Sequence, residues 1–597
     1  MKMKSIVISF IATLLFLTGS AQTMLPRFST AQEQEQVSKG LIERLPVNGI
    51  ETPPYSPVRT MAEWEELQAL HVAWSYYNDN DIRDILIEII REAREECNVV
   101  ILVASGQVAN AQSALTNAGV DISSNVSFVQ GPVNSIWCRD YGGNSAYTND
   151  VDSLIIVDWI YNRNRPQDNA SPEIIAEYLN VPIYTTTAPP YDLVNTGGNF
   201  MSDGLGNAFC SELVIEENGP NNEYGYSNQN EAEIDEIMQL FMGINRYTKM
   251  ETLPYDDIHH IDMHMKLLDE ETLLVGQYPE GIADGPQIEA NLQYVLNNFT
   301  NAFGKPYKVI RIPMPPHNGG YPNGSFNSPD YRTYTNAVFV NKKVLLPLYQ
   351  QQYDTTALRI WEESLPGYEI VGINCNDIIP YLGAIHCITK EIGVNDPLWI
   401  THDQLENVEI AMPDGYPVFA KIKHKSGIAS AKIHYSLEPG ANYTALDMSI
   451  ADVQNDIWTV NIPEQATGST VYYYISAVAN SGKSINRPLP APAAYWKFDV
   501  NYNQVGVVDL QNNVALLQAF PNPAKAITCI PVLTKAATSG IIELSDVQGQ
   551  SVLKIYEGQI PSGESRYFFN AAKMTPGTYF ITVRTRNEKM TQKITIY

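Results

Sequence analysis

The sequence predicts an α/β domain followed by two small all-β modules, and three observations predict it. Strand–helix–strand patterning repeats between residues 51 and 400. After Ile400 the composition shifts to short alternating strands separated by turns rich in Gly, Asn and Pro. At 597 residues the chain is also too long for a single core.

The elements follow in order. Lys2 and Lys4, an apolar run over residues 6–17 and Gly19-Ser20-Ala21 before Gln22 make residues 1–21 a secretory signal, too short to span a bilayer. Residues 22–50, rich in Gln, Glu, Ser and Thr, are expected to be a flexible pro-segment or lead. Leu70-His71-Val72-Ala73-Trp74 is strand-like. Ile82, Ile85, Leu86, Ile89, Ile90 and Ala93 then fall on one stripe of an amphipathic helix. Residues 99–103 read as an apolar strand, 108–118 as a short helix and 126–129 as another strand, and such units continue to residue 400. Residues 401–500 carry alternating strands such as Lys432-Ile433-His434-Tyr435-Ser436 and Val471-Tyr472-Tyr473-Tyr474-Ile475, the pattern of an immunoglobulin-like β-sandwich. Residues 508–597 form a further small all-β unit.

Charge and cysteine content narrow the function. Asp+Glu 66 against Lys+Arg 39 gives −27, which repels nucleic acid and anionic membranes alike. No stretch after the signal is long and apolar enough to span a membrane, so an exported, soluble protein is expected. Six cysteines without a C-x-x-C pair argue against a disulfide framework and against structural zinc. They can be a few buried thiols or one bridge, or one of them can be reactive.

Four stretches combine reactive residue types. In Ser135-Ile136-Trp137-Cys138-Arg139-Asp140-Tyr141-Gly142, Trp137 and Asp140 can give a cation an aromatic wall and a carboxylate. Taken alone, Arg139–Asp140 reads rather as a structural ion pair. In His259-His260-Ile261-Asp262-Met263-His264, an extended chain would put His260, Asp262 and His264 on one face. Catalytic, metal-binding and structural roles stay open there. Asn336 stands before the apolar run Ala337-Val338-Phe339-Val340, as a ligand-facing amide or a turn residue. Tyr381-Leu382-Gly383-Ala384-Ile385-His386-Cys387-Ile388-Thr389-Lys390 reads as a strand entering a core, with Cys387 either inert or nucleophilic. The glycine-rich run Asn195-Thr196-Gly197-Gly198-Asn199 lacks the spacing of a phosphate or dinucleotide loop and reads as a tight turn.

Taken in succession, W-x-R-D, T-G-G-N-x-x-x-D-G, H-x-D, Y-T-N and G-A-I-H-C resemble the bacterial agmatine deiminase and porphyromonad-type peptidylarginine deiminase family of penteins, over residues 55–395. The resemblance implies a five-bladed pentein α/β propeller with the site in its central channel. It implies Cys387 as nucleophile, His260 as general acid/base, Asp140 and Asp262 as guanidinium-binding carboxylates, Asn336 as a further site residue and Trp137 on the substrate channel. It calls for no cofactor and no metal. Cys138 stands where Thr is common and His259 where Gly is common. His260 is preferred to His259 because only it stands two residues from Asp262.

Two arginines, Arg163 and Arg165, face one way in an extended Tyr161-Asn162-Arg163-Asn164-Arg165-Pro166 and can clamp a carboxylate. An amine such as that of agmatine would be repelled. The run also resembles the peptidylarginine deiminase branch, where paired arginines bind a peptide C-terminus; the plain alternative is a surface ion-pair patch. The expected reaction is conversion of peptide C-terminal arginine to citrulline and ammonia. A small-guanidine deiminase and an inactive arginine-binding surface protein are the alternatives. Finally, Ala519-Phe520-Pro521-Asn522-Pro523, Asp546-Val547-Gln548-Gly549 and Pro576-Gly577-Thr578-Tyr579 resemble the sorting domains of type IX secretion. The resemblance implies export through the periplasm to the medium or the cell surface, with that secretion machinery as a partner.

Overall fold

The computed structural model describes residues 25–42, 47–75, 80–220, 222, 227–325, 327–502, 513–525 and 527–597; the signal expected at residues 1–21 lies outside them. Five small sheets organise the α/β part, and each repeats one plan. Two antiparallel strands are followed by a helix that carries the chain to a third strand, parallel to the second. A helical crossover is what a parallel neighbour requires.

The first such unit joins Asn144–Thr148 and Ser153–Trp159, then Ser171–Leu179 and Ile183–Thr186. The next uses Met201–Ser202, Asn207–Ser211, helix Glu231–Met242 and Arg246–Met250. Met265–Leu267, Thr272–Gln277, helix Gly285–Asn298 and Lys308–Pro313 make the third. Val338–Val340, Lys343–Leu348, helix Gln351–Ser364 and Glu369–Asn374 make the fourth. The fifth is assembled from both ends of the domain. Lys390–Gly393 pairs antiparallel with Leu67–Trp74, which leads through helix Asn80–Ala93 to the parallel Asn98–Val103. Residues 99–103 are fully buried, as a strand covered on both faces must be.

This plan fixes where the site forms. A short segment enters the first strand of every unit: Cys138–Tyr141, Gly197–Asn199, Ile261–Met263, residues 333–336 and His386–Ile388. Trp137 with Asp140, Thr196 with the glycine turn, His260 with Asp262, Asn336 and Cys387 all stand in or directly beside these five segments.

Two expectations need correction. The stretch 381–390 is not a strand: Leu382 turns left-handed at φ 66°, His386–Ile388 is a 3-10 turn, and the strand begins at Lys390. Apolar burial alone, without a change of period, could not show this. Likewise His260 is extended but Ile261–Met263 is a 3-10 turn, so His264 does not share a strand face with Asp262.

Beyond residue 398, one sheet joins Trp399–His402, Tyr416–Lys423, Ile457–Ile462 and Ser449–Asp452. A second is centred on Ile428–Ser436 and Ser469–Ala479. Tyr416 meets Phe498 at 5.0 Å between ring centres and His402 meets Tyr473 at 5.6 Å, so aromatic edges fill the space between the sheets. Arg487, paired with Glu270 at 3.0 Å, ties this module to the α/β part. Residues through Asn501 form one compact unit and Tyr502–Tyr597 another, whose two small sheets enclose Ile530, Val532, Ile542, Leu544, Ile581 and Val583.

Candidate active site

The five entry segments converge on one buried centre. Cys387 is fully buried, and its Sγ lies 3.2 Å from Asn336 Nδ2 and 3.7 Å from Asp262 Oδ2. Asn336 also accepts from the Ala384 amide at 3.2 Å, while its carbonyl accepts from the His386 amide at 3.2 Å. Its amide therefore fixes the loop that carries the thiol. Gly383 is required nearby, because a Cβ there would stand 2.6 Å from the Trp137 ring and 3.0 Å from Sγ.

An arginine guanidinium of the chain itself occupies this centre. Arg27, fully buried, donates from Nε to Asp140 Oδ2 at 2.9 Å and from Nη2 to Asp140 Oδ1 at 3.0 Å, a two-pronged fork on one carboxylate. Nη2 also lies 3.4 Å from Asp262 Oδ2 and touches His260 Nδ1. A ring nitrogen facing an N–H group must accept, so the His260 proton sits on Nε2, which faces Thr196 Oγ1 at 3.0 Å. Gly198 leaves the room for this: a Cβ there would be 2.0 Å from Arg27 Nη2 and 2.9 Å from Asp140 Oδ1.

The scaffold behind the centre is charged throughout. His386 Nδ1 contacts Asp262 Oδ2 at 2.8 Å, and its Nε2 contacts Glu63 Oε2 at 3.1 Å. Glu63 in turn accepts from Lys266 Nζ at 2.9 Å. Arg139 pairs with Glu391 at 2.6 Å rather than with Asp140, leaving the Asp140 carboxylate to the guanidinium.

Electrostatics follow from burial and from this cation. Burial alone would raise Asp140 and Asp262, but Arg27 and His260 together, joined at Asp262 by the His386 hydrogen bond, outweigh it, and both stay below the usual carboxylate range. Burial and then Arg27 drive His260 down to about 3, so the ring is neutral. Burial pushes the Cys387 thiol up, against the pull of Arg27.

The remaining expected residues contact residues 25–33. Trp137 is buried and donates from Nε1 to the Leu25 carbonyl at 2.8 Å. Arg163 donates from Nε to the Arg27 carbonyl at 3.0 Å. Arg165 donates from Nε to Glu33 Oε1 at 2.7 Å and from Nη2 to the carbonyls of Pro26 and Phe28 at 2.7 and 3.1 Å. Cys387, Asn336, Asp262, His260 and Asp140 thus stand in one contact network, which Trp137, Arg163 and Arg165 join through residues 25–33; Thr196, Glu63 and Arg27, which the sequence did not single out, belong to it as well. Thr196 lay within a motif read only as a turn; Glu63 and Arg27 stand in stretches with no chemical pattern. His259 adopts φ 58°, a left-handed backbone that costs a side chain but not glycine, and its ring lies outside the contacts that hold His260. Among the described residues no group of three His, Cys, Asp or Glu side chains could hold a metal ion.

Residues 59–392 match the family model of Porphyromonas-type peptidyl-arginine deiminase, and residues 518–597 that of the secretion system C-terminal sorting domain. A Vibrio parahaemolyticus protein named "Putative agmatine deiminase" is 23% identical over 355 residues, covering 55% of this chain and 95% of its own. A solved "putative agmatine deiminase" is 20% identical with a TM-score of 0.50, covering 59% of this chain and 99% of its own, a likeness of fold. The C. jejuni agmatine deiminase, also 20% identical over 59% of this chain and 99% of its own, has a TM-score of 0.47.

Proposed function

The chain belongs to the Porphyromonas-type peptidyl-arginine deiminase family, and from that premise we propose that it converts the C-terminal arginine of peptides to citrulline and ammonia through a covalent adduct on Cys387. As a member it is a hydrolase acting on the C–N bonds of amidines, and its sorting domain makes it a secreted or cell-surface protein. Among the described residues, no helix is long and apolar enough to cross a membrane. Five repeated hairpin–helix–strand units support reading residues 51–400 as a five-bladed pentein propeller. The two stacked sheets support residues 401–500 as an immunoglobulin-like sandwich, with 508–597 as the type IX sorting domain.

One observation carries the reading: a guanidinium already rests between Asp140, Asp262 and His260, and the Cys387 thiol contacts the same Asp262 carboxylate. The two carboxylates fix the plane of the cation and concentrate charge on its central carbon. A water would be a weak nucleophile there, whereas sulfur splits the reaction into two easier halves. In the first, the Cys387 proton passes to His260 while Sγ bonds to the guanidinium carbon. The carbon–nitrogen bond at the Nη2 position breaks, and His260 hands its proton to the departing ammonia. In the second, His260 takes a proton from water, hydroxide adds to the same carbon and the carbon–sulfur bond breaks. The hydroxyl proton passes to the departing Sγ, leaving a ureido carbonyl and the regenerated thiol, and His260 gives up the proton it took from water to ammonia or solvent. Asn336 steadies sulfur, and Arg163 with Arg165 suits the carboxylate of a terminal arginine.

Purified protein given agmatine, free arginine and peptides with internal or terminal arginine tests this, with citrulline and ammonia followed by mass spectrometry. Terminal arginine is expected to be turned over with the highest kcat/KM. Faster turnover of agmatine would support a small-guanidine deiminase instead.

A further inference from the structure

Residues 25–41 fill both ends of the site at once. Arg27 supplies a guanidinium to Asp140 and Asp262, and Glu33 supplies a carboxylate to Arg165 at 2.7 Å. These are the two charged groups of a C-terminal arginine, presented at the two subsites proposed to bind them. The segment is also held along its backbone. The Arg27 amide donates to the Tyr381 carbonyl at 3.2 Å, and Trp137, Arg163 and Arg165 take the carbonyls of residues 25–28. Glu33 is placed by a short helix, Ala31–Ser38, whose Thr30 cap and Glu33 hydrogen-bond one another's backbone amides. Asn164, between the two arginines, donates to Gln36 Oε1 at 2.9 Å and to the Leu41 carbonyl at 3.2 Å.

Given the deiminase reading above, on which this rests, we infer that residues 25–41 are a substrate-mimicking strap that keeps arginine substrates out until it is cut away or displaced. A tethered ligand competes at an effective concentration in the millimolar range for a short linker, so an incoming peptide faces a standing competitor. The strap acts as inhibitor rather than substrate for two reasons. Arg27 is wholly shielded from solvent, and release of a covalent adduct consumes a water. Its Nε, Nη1 and Nη2 are all engaged, by Asp140, Asp262 and the Leu382 carbonyl, while Sγ has its polar contacts with Asn336 and Asp262.

The test uses the full chain from Gln22 and two variants, Arg27→Ala and Glu33→Gln, with a peptide ending in arginine. Arg27→Ala is expected to lower KM by about tenfold or more with kcat little changed, and Glu33→Gln to lower it by less. An unchanged or raised KM in both, in an enzyme that turns over, overturns the strap. Mass spectrometry of the peptide containing residue 27 should find arginine; citrulline there overturns the inhibitor role and makes Arg27 a first substrate. Alkylation of Cys387 by iodoacetamide should be faster in Arg27→Ala whether or not either protein turns over. Faster alkylation without turnover in any form would retain the occluding contact and reject the deiminase reading. Equal alkylation rates would reject the strap itself.

Discussion

The two ends of the site are built in opposite ways. At the guanidinium end, Asp140, Thr196, His260 with Asp262, Asn336 and Cys387 come from five separate repeat units, and Asp262 is braced from behind by His386 and Glu63. At the carboxylate end, three consecutive residues of one loop, Arg163 to Arg165, bond mainly to residues 25–41. At the first end, Cys387, Asn336 and Asp262 are held by the scaffold, so their geometry outlasts the strap, whereas the Asp140 carboxylate takes its hydrogen bonds from Arg27. The second gains free cationic donors when the strap departs, which is the state a substrate carboxylate would meet. A preorganised end suits chemistry; an end that exchanges partners suits recognition.

The comparison can be broken or sharpened by substitution. The largest effect belongs to Cys387→Ala, which should abolish citrulline and ammonia release by at least about three orders of magnitude. Substantial ammonia from that variant would remove the nucleophile from the guanidinium end. Next, in an Arg27→Ala background, Arg163→Gln with Arg165→Gln should cut kcat/KM for peptides ending in arginine by about tenfold to a hundredfold, with agmatine within about twofold. Equal losses on both substrates would mean that the second end does not read a carboxylate.

Bracing should show a smaller signature. Glu63→Gln removes the charge behind His386 and, at second hand, loosens Asp262; in the same Arg27→Ala background we expect a fall in kcat of about tenfold with KM nearly unchanged. A rise in KM alone would place Glu63 in binding rather than in the support of catalysis.

Two buried groups, one near each end, carry pH dependences of opposite sign. His264, beside the guanidinium end, is buried with neither ring nitrogen paired among the described residues, and burial pulls it down to about 4. The unfolded chain therefore binds its proton first, and stability falls as pH drops from about 6.5 to about 4, by up to about 3 kcal/mol. His264→Gln should flatten that limb of the melting temperature against pH. Asp168, beside the arginine loop, is pushed up to about 6 by burial against the pull of Arg165 and Ser135. Its sign is opposite: the folded state holds the proton, and stability is lost as pH rises from about 4 to about 6. Identical acid limbs for wild type and His264→Gln would dismiss this asymmetry.

Much of the molecule is legible along the chain because its signals are local. The stripe Ile82 to Ala93 reports a helix and residues 99–103 a doubly covered strand, since side-chain period follows backbone geometry. The turn glycines of Thr196-Gly197-Gly198 are legible too: a Cβ on Gly197 would lie 2.0 Å from the Arg139 carbonyl. Residues 381–390 misread as strand because a buried 3-10 turn is as apolar as a strand and too short to display a period of its own.

Read alone, then, the sequence determined the order of an α/β domain and two β modules, and the residue types able to grip and attack a guanidinium. Only the tertiary structure decided that one short segment from each of five repeats meets at one point, and that Arg27 sits there. Arg27 and Asp140 are 113 positions apart, Arg27 and His260 233. Periodicity records which face of an element is apolar; it holds no information about which distant charges will share a cavity once those faces are buried together.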